Sequence, residues 1–260
     1  MNTTQQAAEI ILDNWNNGGV LSELPENIAP TTPEGGYAVQ AELARLRGEP
    51  VVGWKIAATS EKGRNHIRVD RPMAGRLYPS IVYKDGSTIA LASNRMLVAE
   101  AEIVLTLKQD LPPLERQRSE EEVAAAVGKI HAGLEFPDSR FDDFTVAGTA
   151  CLIADNACAR HFVLGEAVTP PADLAQLAQI PTMLRINNKL ATSGLGSDAL
   201  GGSLTALTWL VNTVNELGIS VNAGEFVTTG VTGAPTPIHP NDHLEVLIGT
   251  VASVAATVVA

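Results

Sequence analysis

The sequence predicts an α+β protein, and three observations carry that expectation. Helical periodicity is concentrated in the first fifty residues. Beyond residue 51, short β-branched and apolar runs read as strands, and several follow each other with only a turn between them. Helices and strands do not alternate in the regular way that a parallel βαβ array requires. At 260 residues the chain has ample material for one large core. With no internal repeat, low-complexity stretch or linker, residues 1–260 read as a single domain: a helical lobe over 1–50 and a β-rich core over 51–260.

In order, the first helix places Ala8, Ile11, Leu12 and Trp15 on one face and ends at Asn17-Gly18-Gly19. After the loop Glu23–Pro30, a second helix has Thr32 as N-cap and Pro33 in its first turn, runs through Tyr37–Leu46 and stops at Gly48. Val51–Ile56 reads as a strand interrupted by Lys55, followed by a polar loop region over Ser60–Pro79. Further strands are expected at Ala101–Leu107, His131–Phe136, His161–Leu164, Thr182–Ile186 and Val246–Val254. Asn187-Asn188 marks a tight hairpin turn. Ser119 with Glu122 forms a capping box opening a short helix over Glu120–Lys129. A longer helix covers Leu204–Leu217, burying Leu204, Leu207, Val211, Val214 and Leu217 and ending at Gly218.

The net charge of −11 argues against nucleic acid or an anionic membrane surface as partner, since either would be repelled. A small anionic substrate stays open, because a bound cation or a local Lys reverses the field inside a cleft. Cys151 and Cys158 match no zinc or redox spacing and read as buried, reduced thiols. The polar N-terminus lacks the features of a signal peptide, and the uncharged tail Val246–Ala260 is too short for a membrane span. A cytoplasmic location is expected.

Glu100 and Glu102 sit two apart in a strand-like run, so both project from one face while Ala101, Ile103 and Leu105 project from the other. Two such charges roughly 6 Å apart repel by ~3 kcal/mol at an effective dielectric of about 20. Either that face meets solvent, or a hard divalent cation compensates the pair. Glu135, at the end of a short apolar strand, is the natural third ligand; otherwise it is a surface acid or a partner of Arg140. Lys55 reads as an edge-strand gatekeeper or as a buried amine paired with acids. Ser193–Gly202 is glycine-rich but lacks the dinucleotide fingerprint, and reads as a loop allowing close backbone approach to substrate or as a plain flexible loop; no nucleophile elbow occurs. His239 and His243 flank a turn rather than a helical zinc pair, His131 and His161 read as satisfied strand residues, and His66 as a lid residue.

These residues assemble into a pattern. Lys55-Ile56-Ala57-Ala58-Thr59-Ser60, Glu100-Ala101-Glu102-Ile103, Leu134-Glu135-Phe136-Pro137-Asp138-Ser139-Arg140 and Ile153-Ala154-Asp155-Asn156-Ala157 occur in this order. Ser193-Gly194-Leu195-Gly196, Trp209-Leu210-Val211-Asn212 and Ala223–Gly230 follow. Together they resemble the 2-keto-4-pentenoate hydratase and 4-oxalocrotonate decarboxylase branch of the fumarylacetoacetate hydrolase superfamily. The resemblance implies a mixed β-roll with flanking helices. It implies Glu100, Glu102 and Glu135 as ligands of Mg²⁺ or Mn²⁺ and Lys55 as the active-site lysine; Asp155 reads as a catalytic residue that orients Lys55 or the metal shell, or else as a helix cap, and Ser60, Gly194, Gly196 and Thr229 as substrate contacts. It further implies a small 2-oxo or 2-hydroxydienoate acid as substrate and a homo-oligomer, with a homologous decarboxylase as a possible companion.

The implied activity is metal-dependent hydration of a 2-hydroxy-2,4-dienoate in aromatic catabolism. Decarboxylation of a 2-oxo-hexenedioate, acylpyruvate-type C–C hydrolysis with His66 as base, and a noncatalytic partner subunit are the alternatives. Four positions depart from the family pattern. Met73 replaces an Asp, Cys158-Ala159 a Ser pair, Gly202-Ser203 a His-Pro pair, and Val231 a small hydroxyl residue. An intact ligand set with an altered surrounding pocket is therefore expected.

Overall fold

The computed structural model describes residues 2–260. Helix α1 (Thr3–Asn17) begins where the Asn2 side chain accepts from Gln5 N, and ends at Gly18, whose φ of 64° is left-handed. Helix α2 (Pro33–Arg47) is capped by Thr32 and stopped by Gly48. Ala7, Ala8, Ile11 and Trp15 of α1 are buried. The Arg47 guanidinium lies 4.7 Å from the Trp15 ring centre and 4.6 Å from that of Tyr78, joining the helical pair to the strands behind it.

Strands β1 (Gly53–Ala57) and β2 (Met73–Leu77) pair antiparallel. Between them lies the short helix α3 (Glu61–His66). The region 60–79, expected to be loop, thus contains a capped helical turn and a strand. Strand β2 is buried on both faces, so Met73-Ala74-Gly75-Arg76-Leu77 shows no period-two alternation to mark it. Next come β3 (Val82–Lys84), β4 (Ser87–Ala90) and the long β5 (Val98–Leu107). Helix α4 (Glu120–Ala126) carries the reciprocal Ser119–Glu122 box, and stops short of Lys129 because β6 (Val127–Phe136) begins there.

Helix α5 (Gly148–Ala154) precedes β7 (His161–Leu164). The hairpin of β8 (Pro181–Ile186) and β9 (Lys189–Leu195) turns through Asn187 and Asn188 at φ 52° and 65°, both left-handed as a two-residue primed turn requires. Helix α6 (Ser203–Glu216), β10 (Phe226–Val231), β11 (Thr236–Pro237), β12 (His243–Ile248) and β13 (Ala252–Val259) complete the chain. The run Val246–Val254, expected as one strand, is the turn of the β12–β13 hairpin with strand on either side. Gly249 at φ 53° reverses the chain inside what composition presents as a continuous apolar segment.

The larger sheet runs β2-β1-β10-β5-β6-β7-β3, with β11 paired to β5; the smaller runs β4-β13-β12-β8-β9. Strands β12 and β13 lie against β6. Along β6, Ile130, Ala132 and Leu134 alternate with His131, Gly133 and Glu135, so one face joins the apolar core and the other is free for chemistry. Among the described residues, no helix is long and apolar enough to cross a membrane.

Candidate metal centre

The β5–β6 register sets Glu100 directly opposite Glu135, with Glu102 two residues further along the same face. One carboxylate oxygen from each of the three lies within 4.8 Å of the others. Glu102 and Glu135 are each 1% exposed, whereas Glu100 reaches partly to the surface. Lys55 on β1 closes the group. Its Nζ stands 2.9 Å from Glu135 Oε1 and donates to the Ala157 carbonyl at 3.0 Å.

Strand β10, between β1 and β5, supplies the remaining polar contacts. Its register with β5 shifts between Thr228 and Val231. Gly230 adopts φ 105° within that irregularity, a conformation that favours glycine, and its N–H donates to Glu102 Oε2 at 2.8 Å. The Thr228 hydroxyl donates to the same oxygen.

Three acids facing one ammonium leave negative charge in excess. Burial, reinforced by Glu135, pushes the Glu100 carboxyl up to about 7 against the opposing pull of Lys55. Glu102 is raised well above the ordinary range by burial and by Glu135 and Glu100, despite the Thr228 hydrogen bond. For Lys55, burial alone would lower the amine. Glu135 and Glu100, with smaller help from Cys158 and Glu102, outweigh it and hold the pKa above its usual value. Lys55 is therefore an ammonium at neutral pH.

Glu135 Oε1 has only the Lys55 ammonium beside it, and Oε2 is buried with no hydrogen-bond partner. A buried carboxylate oxygen without a partner, in an all-oxygen set with surplus negative charge, suits a hard divalent cation. Among the described residues, no other group of three His, Cys, Asp or Glu side chains is placed to share an ion.

Other residues singled out in the sequence lie elsewhere or are already engaged. Asp155 does not join the cluster: its carboxylate is taken up by Arg140 and by the Ser139 hydroxyl. It ties Ser139 and Arg140 to the end of α5. Thr229 points to the opposite face of β10, where its hydroxyl donates to Ile103 O at 2.8 Å. Thr228, which sequence reading passed over, is the threonine that faces the acids. Ser60 caps α3 by accepting from Gly63 N.

The glycines of 194–196 make room for the protein's own backbone. A Cβ at Gly194 would stand 2.4 Å from Gly233 N, and one at Gly196 only 2.0 Å from Leu177 O. Gly194 is strand rather than flexible loop. His66 is exposed on α3, with its ring edge-on to Phe144 at 6.3 Å. Cys158 is buried and its thiol is pushed up to about 12, first by burial, whereas Cys151 is only partly buried.

Two departures from the family pattern lie beside the site, whereas Gly202 and Ser203 open α6. Met73 lies in register with Ala57, two residues beyond Lys55, and Val231 follows the Gly230 that binds Glu102. A groove of about 590 Å³ between α2, Asp70–Pro72 and α6 contains none of the cluster residues.

The fumarylacetoacetate (FAA) hydrolase C-terminal family profile matches residues 55–259. A 2-hydroxyhexa-2,4-dienoate hydratase of Comamonas testosteroni is 34% identical over 235 residues, 88% of this chain and 87% of that protein. A 2-keto-4-pentenoate hydratase of Paraburkholderia xenovorans is 30% identical over 253 residues, 96% of this chain and 93% of its own. Among solved structures, 4-oxalocrotonate decarboxylase from Pseudomonas putida G7, complexed with magnesium and adipate, superposes with a TM-score of 0.88 at 25% identity, covering 98% of this chain and 97% of that one.

Proposed function

The chain belongs to the fumarylacetoacetate hydrolase family, and from that premise we propose that it is a divalent-cation-dependent hydratase of 2-hydroxy-2,4-dienoates. The observation that carries this reading is the trio Glu100, Glu102 and Glu135 around one point, with Glu135 Oε2 unpartnered and Oε1 beside the Lys55 ammonium. Hydratases of such dienoates at 30–34% identity over most of both chains support it. The three glutamates are the residues that would hold Mg²⁺ or Mn²⁺. When bound, such an ion supplies a Lewis acid that polarises the 1-carboxylate and 2-oxygen of a chelating substrate.

The protein's own residues do the rest. Lys55 spends one N–H on Ala157 O and faces Glu135 with a second, so its third is left for the substrate carboxylate. In the metal-free protein the amine stays charged, held above its usual value by Glu135 and Glu100 against burial, and it donates to the groups around it. In the substrate, the proton of the 2-hydroxyl is lost and C5 gains one, giving a 2-oxo-3-enoate. Water then adds its hydroxyl to C4 while C3 takes a proton, and a 4-hydroxy-2-oxo acid results. Glu102, held by Thr228 and Gly230 N–H, keeps a fixed orientation throughout.

The similarity to a decarboxylase structure favours one rival, loss of CO₂ from a 2-oxo-hexenedioate. Both reactions need the same stabilisation of negative charge at the 2-oxygen. The acylpyruvate hydrolase alternative wants a base, and the exposed His66 has no acidic hydrogen-bond partner in the structure. A homo-oligomer acting on a small acid is part of the proposal.

The test is to incubate the purified protein and Mg²⁺ with C5 and C6 2-hydroxydienoates, following the ultraviolet loss of conjugation alongside CO₂ release. Loss of absorbance with incorporation of water and no CO₂ is expected. CO₂ release from the C6 diacid as the main reaction would replace hydratase by decarboxylase.

A further inference from the structure

Three consecutive non-glycine residues, Asn156, Ala157 and Cys158, have left-handed φ values of 56°, 52° and 60°. L-residues avoid this region and normally visit it singly, Asn more readily than Ala or Cys. A run of three persists only where its surroundings over-determine it. Here they do.

The Asn156 side chain clamps the backbone of β2 at Arg76, with Oδ1 accepting from Arg76 N at 2.7 Å and Nδ2 donating to Arg76 O at 2.8 Å. Downstream, Cys158 O accepts from Asp138 N at 2.9 Å and Ala159 O accepts from Arg140 Nη1 at 2.9 Å. Gly75 leaves the space for this turn to close on the sheet. A Cβ there would stand 2.4 Å from Asn156 O, 3.0 Å from Lys55 Cγ and 3.2 Å from Ala157 Cβ. Gly75 is also the register partner of Lys55. The strained turn thus brings the Ala157 carbonyl to 3.0 Å from Lys55 Nζ.

We propose that Asn156 is a positioning residue: by clamping the left-handed turn onto β2 it fixes the Ala157 carbonyl that aims the Lys55 ammonium at the substrate carboxylate. This rests on the reading of Lys55 as the group that holds that carboxylate. A merely structural turn would lower stability without acting through Lys55, and a double-mutant cycle separates the two.

The cycle uses the full chain as wild type, Asn156→Ala, Lys55→Met and the double variant. Three quantities are measured: the dissociation constant of Mg²⁺ alone, that of 2-oxopentanoate on the Mg²⁺-saturated protein, and kcat with KM on the dienoate. Asn156→Ala is expected to weaken 2-oxopentanoate binding and lower kcat/KM by at least tenfold, with Mg²⁺ affinity kept within twofold. In the Lys55→Met background the same change should alter 2-oxopentanoate binding by less than twofold. An equal loss in both backgrounds, or none in the wild-type background, overturns the proposal.

Should Asn156→Ala fail to fold, Asn156→Asp goes through the same cycle, since it keeps the acceptor for Arg76 N and loses the donor to Arg76 O. Failure of the two readings is distinguishable. A wild-type protein that neither binds 2-oxopentanoate nor turns over a dienoate removes the functional reading and this one with it. An active wild type with losses that multiply independently removes the positioning role alone.

Discussion

At Glu135 the carboxylate is shut away from water with Lys55 beside Oε1 and nothing bonded to Oε2, and Glu100 and Glu102 crowd the same face. Such an arrangement costs stability until a cation fills it, so a substitution here can lower activity while raising the stability of the metal-free protein. Glu102→Gln should fold normally and lose Mg²⁺-dependent turnover by about 100-fold or more, as removal of a ligand should exceed the effect of losing an outer-shell partner. Full activity of that variant in the presence of a chelator would remove the assignment. Glu100→Gln should instead stabilise the metal-free protein. The folded-state pKa of Glu100 is raised to about 7, so at pH 8 its ionised form is disfavoured by folding, and the amide removes that penalty. The gain is on the order of 3 kcal/mol, seen by calorimetry as a rise in Tm of roughly 6–12 °C. An unchanged or lower Tm would count against mutual repulsion at the site.

How much of the site could be read from the sequence follows from how local each relation is. That Glu100 and Glu102 share a face follows from strand period two, and Lys55 stood out as a charge in an apolar strand. That Glu100 meets Glu135 depends on a register between β5 and β6, which are separated by a loop and α4, and no local pattern encodes it. Thr228 and Thr229 are equivalent as sequence, and only the β10 pairing decides which one faces the acids.

Among the elements, the well-punctuated ones were legible. Helix α2 carries caps at both ends, α1 a glycine stop at Gly18 and α4 a capping box at its start, and the Asn187-Asn188 turn declares its hairpin. Strand β2 and the β12–β13 turn were not, since both lie in segments whose composition gives no period to read. The glycine-rich stretch shows a related limit: a glycine required for close approach does not say what approaches, and at Gly196 the structure places Leu177 O there. Gly196→Ala should therefore act on stability, costing about 1–3 kcal/mol through collision with Leu177 O, with KM little changed. A raised KM at unaltered stability would restore that glycine to the substrate site.

Strand β7 offers a pH test remote from the acids. His161 accepts or donates a 3.0 Å bond with Tyr83 Oη, and burial, with Arg160 nearby, pulls its pKa down to about 4. The unfolded imidazole takes up its proton near 6.5, so the unfolded chain binds more protons between those values. The contribution is present above pH 6.5 and is lost as pH falls towards 4, by on the order of 2–3 kcal/mol. Denaturant titrations should show wild type losing stability relative to His161→Gln between pH 6.5 and 4.5. Parallel pH profiles would mean that the ring is not held neutral.

Over the whole molecule, the two sheets pack so that one face of β5 and β6 enters the core while the other carries the acids. The helical lobe, which offers no chemistry of its own, is built into the wall behind Lys55. Gln40 of α2 is buried and donates to Ala74 O of β2 at 2.8 Å and to Ile153 O of α5 at 2.9 Å. Its amide thus ties the lobe to the strand next to Lys55 and to the helix leading into the Asn156–Cys158 turn. The α+β class was evident from the order of periodic segments, but this convergence was not, because it joins residues more than a hundred positions apart.

The most direct measurement is a calorimetric titration of chelator-stripped protein with Mg²⁺, wild type beside Glu135→Gln. One ion per chain in the wild type, with affinity reduced at least 100-fold in the variant, is the expected result. No saturable binding, or binding that Glu135→Gln leaves intact, would contradict a cation held by these three carboxylates.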